Sequence, residues 1–398
     1  MGREAKSPSV GDGTASFEGY EQIRTRVRLA RREDNDWLVE LMGHVPMDEG
    51  SLVLSTRRDP DFFGLYDLQR GVAEAFVYDD PAFSGIGTSI VRDGWLDGRK
   101  QKVGYLGDLR LRGTGRARRH FPSLFGHFFE QHVERTGCED FYTAVLAHNQ
   151  LAIQSLVRRT KKSRGTQPHY HLLRRYDMAS VQLLLPRRPR VPSGLTVSSA
   201  LPTDVPALAA FLHGDHLRRP FGYCFDDGEL EHRLARWPGF TLERTLVARA
   251  GDGRIVGCTT PWDVSPVKRY RVVRYGGAMR LLRLGMAAAS AVLGCPALPA
   301  EGEDFHSHYL ANLSVENDDP VILRALLEVA YARAWEDRVH LLSLPLYEGP
   351  NGEPDPLAPA LRGFAVQRLP FHLYGVSRSA RARTDWPPGR PGFEMALA

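Results

Sequence analysis

Alternation of apolar and polar positions predicts strands along this chain, and three-to-four-residue spacing predicts helices. The first alternating run is 26–30 (RVRLA). An Asp/Asn cluster at Asp34, Asn35 and Asp36 and the amphipathic run 37–42 follow it, the pattern of a strand, a helix cap and a helix. The same order returns at 195–200, 201–204 and 205–212. Between the two copies lies LPRRPRVPSG (185–194), a Pro/Arg stretch without periodicity. The pattern therefore predicts two copies of one α/β fold. The expected division is a tail at 1–23, a first domain at 24–185, a linker at 186–194, a second domain at 195–376 and a tail at 377–398.

Each half continues in kind. In the first, 71–78 and 85–93 read as paired strands, 103–111 as a third, then a turn, a helix to about residue 134, a strand at 141–146 and a helix at 149–159. In the second, strands are expected at 245–250, 255–262, 308–315, 340–344 and 371–376, with a helix over 319–335. The run 272–293 carries Arg274, Arg280 and Arg283 among apolar residues and predicts an amphipathic helix packed on the core. The stretch 284–300 is broken by Gly and Pro and is too short to span a bilayer, so no membrane insertion is expected.

Composition narrows the class. A chain of 398 residues can bury its cores without disulfides or metals. Its net charge of +5 is mild for this length and argues against a nucleic-acid partner. Arginine supplies 46 of the 52 basic residues, which suits anion binding without requiring it. Cys138, Cys224, Cys258 and Cys295 form no CxxC pair and no zinc spacing, so no metal and a reducing, cytoplasmic setting are expected. The segment 1–19 has no apolar core of the kind a signal peptide needs.

The candidate chemistry lies in the loop Arg110-Leu111-Arg112-Gly113-Thr114-Gly115-Arg116-Ala117, between a strand and a long helix. A helix start leaves main-chain N–H groups free for phosphate, glycine lets the backbone approach, and arginine adds charge. The loop matches neither GxxxxGK[ST] nor GxGxxG. A glycine turn with a solvated basic helix start fits it equally well.

Strand, R-x-x-G-x-[GA] loop, helix, strand and N-x-x-A together resemble the GNAT superfamily of acyl-CoA N-acyltransferases. Arg110-x-x-Gly113-x-Gly115 and Arg112-x-x-Gly115-x-Ala117 both fit, and Asn149-Gln150-Leu151-Ala152 follows the next strand. The likeness is nearer still to bacterial tandem-GNAT proteins. It is carried by VGYLGDLRL (103–111), FYTAVLAHNQLA (141–152), IVGCTTPWD (255–263), HYLANLSVENDDP (308–320) and PGFEMALA (391–398), and it covers about 24–398.

The resemblance implies two α+β domains, each a mixed, mostly antiparallel sheet flanked by helices. It implies transfer of an acyl group, acetyl first of all, from acyl-CoA to a small-molecule or peptide amine, without a metal. The acyl-CoA contacts would be Leu109, Arg110 and Leu111, the loop Arg112, Gly113, Thr114, Gly115, Arg116 and Ala117, and Asn149. Departures are the loop spacing and Leu156, which stands where the family often carries a tyrosine acid. Tyr142, Tyr170 or solvent would have to replace it. Asp108 is the candidate general base, with a structural pairing to Arg110 or Arg112 as its alternative. His148 fits a loop cap better than a base. In the second half the equivalent loop, Val315-Glu316-Asn317-Asp318-Asp319-Pro320, has no Gly or Arg and would repel phosphate, so a degenerate cofactor loop is expected there. The basic, aromatic stretch 269–275 reads as a plain surface strand or helix start. Two other functions stay open: a non-catalytic CoA sensor or scaffold, and a longer-chain transferase fed by acyl-CoA or acyl carrier protein.

Overall fold

The computed structural model describes residues 27–44, 47–48, 52–80, 83–113, 116–157, 167–378 and 389–398. The expected tail at 1–23, Thr114 and Gly115 lie outside these, as do the side chains of Arg116 and Ala117.

The first half contains β1 (Val27–Leu29), α1 (Asn35–His44), β2 (Met47–Asp48), β3 (Leu52–Arg57), α2 (Gly64–Asp67), β4 (Val72–Asp80), β5 (Phe83–Leu96), β6 (Arg99–Gly113), α3 (Arg116–Thr136), β7 (Asp140–Leu146), α4 (Gln150–Ala152) and β8 (His169–Gln182). The second contains β9 (Leu195–Ser199), α5 (Val205–His216), α6 (Glu229–Arg236), β10 (Leu246–Ala250), β11 (Ile255–Asp263), β12 (Arg269–Tyr275), α7 (Gly277–Leu293), β13 (Ser307–Val315), α8 (Pro320–Glu336), β14 (Leu341–Tyr347) and β15 (Ala365–Ser377). This is an α/β molecule with a mostly antiparallel sheet flanked by helices, the architecture expected of the sequence.

The repeated start of each half has a local cause. Asp34 Oδ2 accepts the Arg31 N–H at 2.7 Å, and Asp204 Oδ2 accepts the Leu201 N–H at 2.8 Å. In each case a carboxylate closes the turn that launches the helix. Asp319 does the same for α8, accepting from Val321 N at 2.8 Å with Pro320 in the first turn. The acidic loop 315–320 is thus a helix start, as its composition suggests.

Twelve strands join in one sheet in the order β1-β4-β5-β6-β7-β15-β8-β14-β13-β11-β10-β9. The two halves exchange their last strands. β15 pairs antiparallel with β7, β8 pairs antiparallel with β14, and the two long strands pair with each other over Ala365–Ser377. A second, three-stranded sheet pairs β12 of the second half with β3 of the first. The run 269–275 is thereby a strand held between the halves.

One apolar cluster bridges the junction, with Leu65, Tyr142, Phe221, Trp237, Trp262 and Phe393 among its members. Polar contacts cross it as well. Arg92 donates to Phe221 O at 2.6 Å, and Trp237 Nε1 donates to Leu68 O at 2.9 Å. Where the sequence reading has a tail from 377, residues 389–398 are packed. Phe393, Met395, Ala396 and Leu397 are all buried. The segment 272–293 departs from its reading too. It forms β12 and then α7, whose Leu281, Leu284 and Val292 are 72%, 57% and 83% exposed. Among the described residues no helix is long and apolar enough to cross a membrane.

Candidate functional site

β6 and β7 run parallel, and they pair only at Val103–Asp140, Gly104–Phe141 and Tyr105–Tyr142. Beyond Tyr105 the strands diverge, leaving a V between Leu106–Arg110 and Thr143–Leu146. The Thr143 hydroxyl donates to Leu106 O at 2.7 Å and anchors its apex. On its other side β6 carries a bulge. Ile86 faces Arg110 and Thr88 faces Gly107, so Asp108 and Leu109 together oppose Gly87. Asp108 sits at φ 46°, in the left-handed region. Gly87 is needed there because a Cβ would come within 2.1 Å of the Phe76 ring.

A cavity of about 400 Å³ opens from this V and extends across the second half. Leu109, Arg110, Asp108 and Asn149 all line it. Asn149 caps the short helix α4, its Oδ1 accepting from Ala152 N at 3.1 Å. Arg110 Nη1 donates to Leu109 O at 3.1 Å, while its buried Nε has no hydrogen-bond partner among the described residues. Leu111 and Arg112 continue the strand away from the cavity, and Arg112 lies 3.7 Å from Glu40.

Asp108 is held by an unexpected partner. Arg58 Nη2 donates to its Oδ2 at 2.7 Å, and the Tyr66 hydroxyl donates to the same oxygen. Burial alone would raise the Asp108 carboxyl, but Arg58, Arg110 and the Tyr66 hydrogen bond more than reverse this, and it is held below its ordinary value. Neither Arg110 nor Arg112 makes the ion pair that spacing suggested. The sequence offers no local signal for Arg58, which lies fifty positions upstream.

Tyr142 does not line the cavity. Its ring stacks on Phe221 at 4.3 Å and packs on Phe393, and burial raises its hydroxyl. Tyr170 does line it, in the apolar cluster that also holds Leu156, and burial keeps its hydroxyl protonated. His148 is exposed on the loop before Asn149.

The sequence reading assigned no residue of the second half to this site. Lys268, Tyr270 and Tyr309 face the same cavity as Asp108. Lys268 is 2% exposed, and its Nζ donates to Ala398 O at 2.6 Å. Burial lowers the Lys268 ammonium. Burial would raise the Tyr270 hydroxyl, but Lys268 and a hydrogen bond with Tyr309 outweigh it and shift it downward. Both shifts run downward, and the ammonium and the hydroxyl face the same cavity.

The second half repeats the V. β13 and β14 pair in parallel only at Ser307–Leu341, His308–Leu342 and Tyr309–Ser343. A register shift sets Asn312 and Leu313 opposite Thr259, and Asn312 sits at φ 51°. Tyr105-Leu106-Gly107-Asp108-Leu109 and Tyr309-Leu310-Ala311-Asn312-Leu313 are equivalent segments, a repeat visible in the sequence once the bulges align it. Here the V is filled. Residues 389–398 lie in it, Glu394 Oε1 accepts the Asn312 N–H at 3.0 Å, and only about 30 Å³ stays open. Arg233, fully buried, donates to Asn312, to Glu394 and to Glu229, the last at 2.8 Å.

No protein-family model matches this sequence, and no curated protein sequence matches it. Solved structures do resemble it. A GCN5-related N-acetyltransferase from Sphaerobacter thermophilus superposes with TM-score 0.50 at 16% identity, covering 93% of this chain and 97% of that one. Saccharomyces cerevisiae N-myristoyltransferase with bound myristoyl-CoA superposes with TM-score 0.53 at 10% identity, covering 89% and 78%. The chain has the GNAT fold.

Proposed function

We propose that this protein is a CoA-dependent N-acyltransferase whose working site is the V of the first half. The observation that supports this reading most is the open cleft beside the Asp108 bulge, continuous with a cavity that reaches residues of the second half. The donor set suits acyl-CoA. The splay of β6 from β7 leaves main chain without a strand partner, the buried Nε of Arg110 has no hydrogen-bond partner among the described residues, and the basic loop 112–117 precedes a long helix in the sequence.

Arg110 and the loop residues Arg112–Ala117 hold the pyrophosphate side, with Asn149 fixing the far wall of the V. Asp108, pinned by Arg58 and Tyr66, orients the incoming amine. Lys268 and Tyr270 take up its proton as the amine nitrogen bonds to the thioester carbon and the carbon–sulfur bond breaks. Tyr170 returns a proton to the leaving thiolate. The acyl group is acetyl in the simplest form of this reading, and the acceptor is a small-molecule or peptide amine. An acyl carrier protein is the alternative donor.

The test is a melt of the full chain with acetyl-CoA, beside the Arg112→Glu/Arg116→Glu variant. Binding raises the melting temperature by mass action. A rise that the variant lacks, followed by turnover on an amine panel, supports the reading. No rise at millimolar acetyl-CoA, longer acyl-CoA or acyl carrier protein sinks it. Binding without turnover on any amine favours a CoA-sensing scaffold.

A further inference from the structure

The cavity has two chemically different ends. One is the V, with Arg110 and Asn149. The other lies where β3, β12 and α7 meet, and its walls are Leu52, Leu54, Met279, Leu282, Met286 and Phe305. Thr56, Leu54 and Leu52 share one face of β3, so this strand leads from the neighbourhood of Asp108 straight into the apolar end.

Polar groups near this end are already satisfied. The Ser180 and Ser343 hydroxyls bond each other at 3.0 Å. His340 Nδ1 accepts the His306 N–H at 2.9 Å, and its Nε2 faces Ala297 O at 3.0 Å. They present little to a polar ligand, and the apolar walls around them suit an apolar guest. Methionine side chains on one wall adapt to the guest's shape.

The charge pattern excludes a whole class of acceptor. Asp108 is the one side-chain carboxylate among the described cavity-lining residues, and Arg58 and Tyr66 hold it. Arg110 and Lys268 line the same space. A polyamine or other polycation would meet these two cations with a single side-chain carboxylate to offset them.

We propose that the end formed by β3, β12 and α7 takes an apolar chain, which reaches the reacting centre as the body of the amine or as the acyl group of the donor. This rests on the acyl-CoA reading above. Each methylene buried there raises kcat/KM about threefold to fourfold.

The experiment uses the full chain in two arms. One pairs acetyl-CoA with ethylamine, butylamine, hexylamine, octylamine and spermidine. The other pairs hexylamine and ethylamine with acetyl-, butyryl-, hexanoyl- and octanoyl-CoA. Calorimetry of unacylated CoA runs beside both. A steep rise of kcat/KM with chain length in the first arm assigns the end to the acceptor, and in the second arm to the donor. Met286→Asp flattens that rise, whereas Leu284→Asp, on the exposed side of the same helix, keeps it. If Met286→Asp fails to fold, the wild-type slopes decide alone. Flat slopes in both arms with CoA still bound, or a preference for spermidine, overturn the proposal and leave the acyl-CoA reading standing. No binding of CoA brings down the acyl-CoA reading itself, and this proposal with it.

Discussion

The two V-shaped clefts share one construction and have opposite contents. Each follows a short parallel pairing, each stands beside a bulged strand with a left-handed residue, and each carries the same Tyr-Leu-x-Asp/Asn-Leu segment. The first opens into about 400 Å³ and the second into about 30 Å³. The difference lies in what meets the bulge. Asp108 is buried with a cation, and its cleft stays clear. Asn312 is buried with the chain's own residues 389–398, and Glu394 takes the N–H that a ligand would otherwise use. A fold that splays two strands creates unpaired main chain, and that main chain must be satisfied by a ligand or by the protein.

The comparison breaks hardest at Arg233. Arg233→Met leaves Glu229 and Glu394 buried without their cation, and a loss of about 3–5 kcal/mol in denaturant unfolding is expected. An unchanged midpoint would mean that residues 389–398 are not what holds the second cleft shut.

Asp108→Asn makes the first cleft resemble the second in sequence while leaving it open. Transfer to an amine is expected to fall on the order of a hundredfold or more in kcat/KM, with CoA binding retained in calorimetry. Lys268→Met acts on the same step by another route. Without the ammonium the Tyr270 hydroxyl returns upward, so the rising limb of the pH–rate profile moves to higher pH.

Gly87→Ala tests the bulge itself. The new methyl meets Phe76, and a loss of about 1–3 kcal/mol is expected in thermal or denaturant unfolding. The equivalent position in the second half is Thr259, whose hydroxyl donates to Ala311 O at 3.1 Å, so a side chain is tolerated there.

Acid sharpens the comparison more gently. His308 stands at the position equivalent to Gly104, and burial pushes its imidazole down to about 4. The unfolded imidazole binds a proton below about pH 6.5, the folded one only near 4, so the unfolded state gains protons in between. Stability is full above that window and is lost as pH falls through it, and His308→Asn should flatten the slope. The smallest effect is expected at Glu316→Ala in the second loop. It removes an exposed pairing with Arg254 and should leave both stability and CoA binding as they were.

Much of this was legible in the sequence because it is local. The capped turns at Asp34 and Asp204, the helix start at Asp319 and most strands of the large sheet all follow from neighbours within a few positions. β3 and β12 were not legible as a pair, because their partners lie more than two hundred residues apart. The exchange of β8 and β15 was hidden for the same reason, and so was the commitment of Asp108 to Arg58. Tyr142 stands next to Thr143 at the V apex, yet its ring faces the packed side of the sheet, where Phe221 and Phe393 meet it.

The sequence by itself determined a repeated α/β plan, its capped turns, its basic first loop and its acidic second one. These rest on periodicity, capping and charge, all short-range terms. Only the tertiary structure decided which cleft is open, which cation holds Asp108, and that Lys268, Tyr270 and residues 389–398 converge between the halves. Those outcomes depend on burial and on satisfying main-chain groups, and both are properties of distant segments brought together.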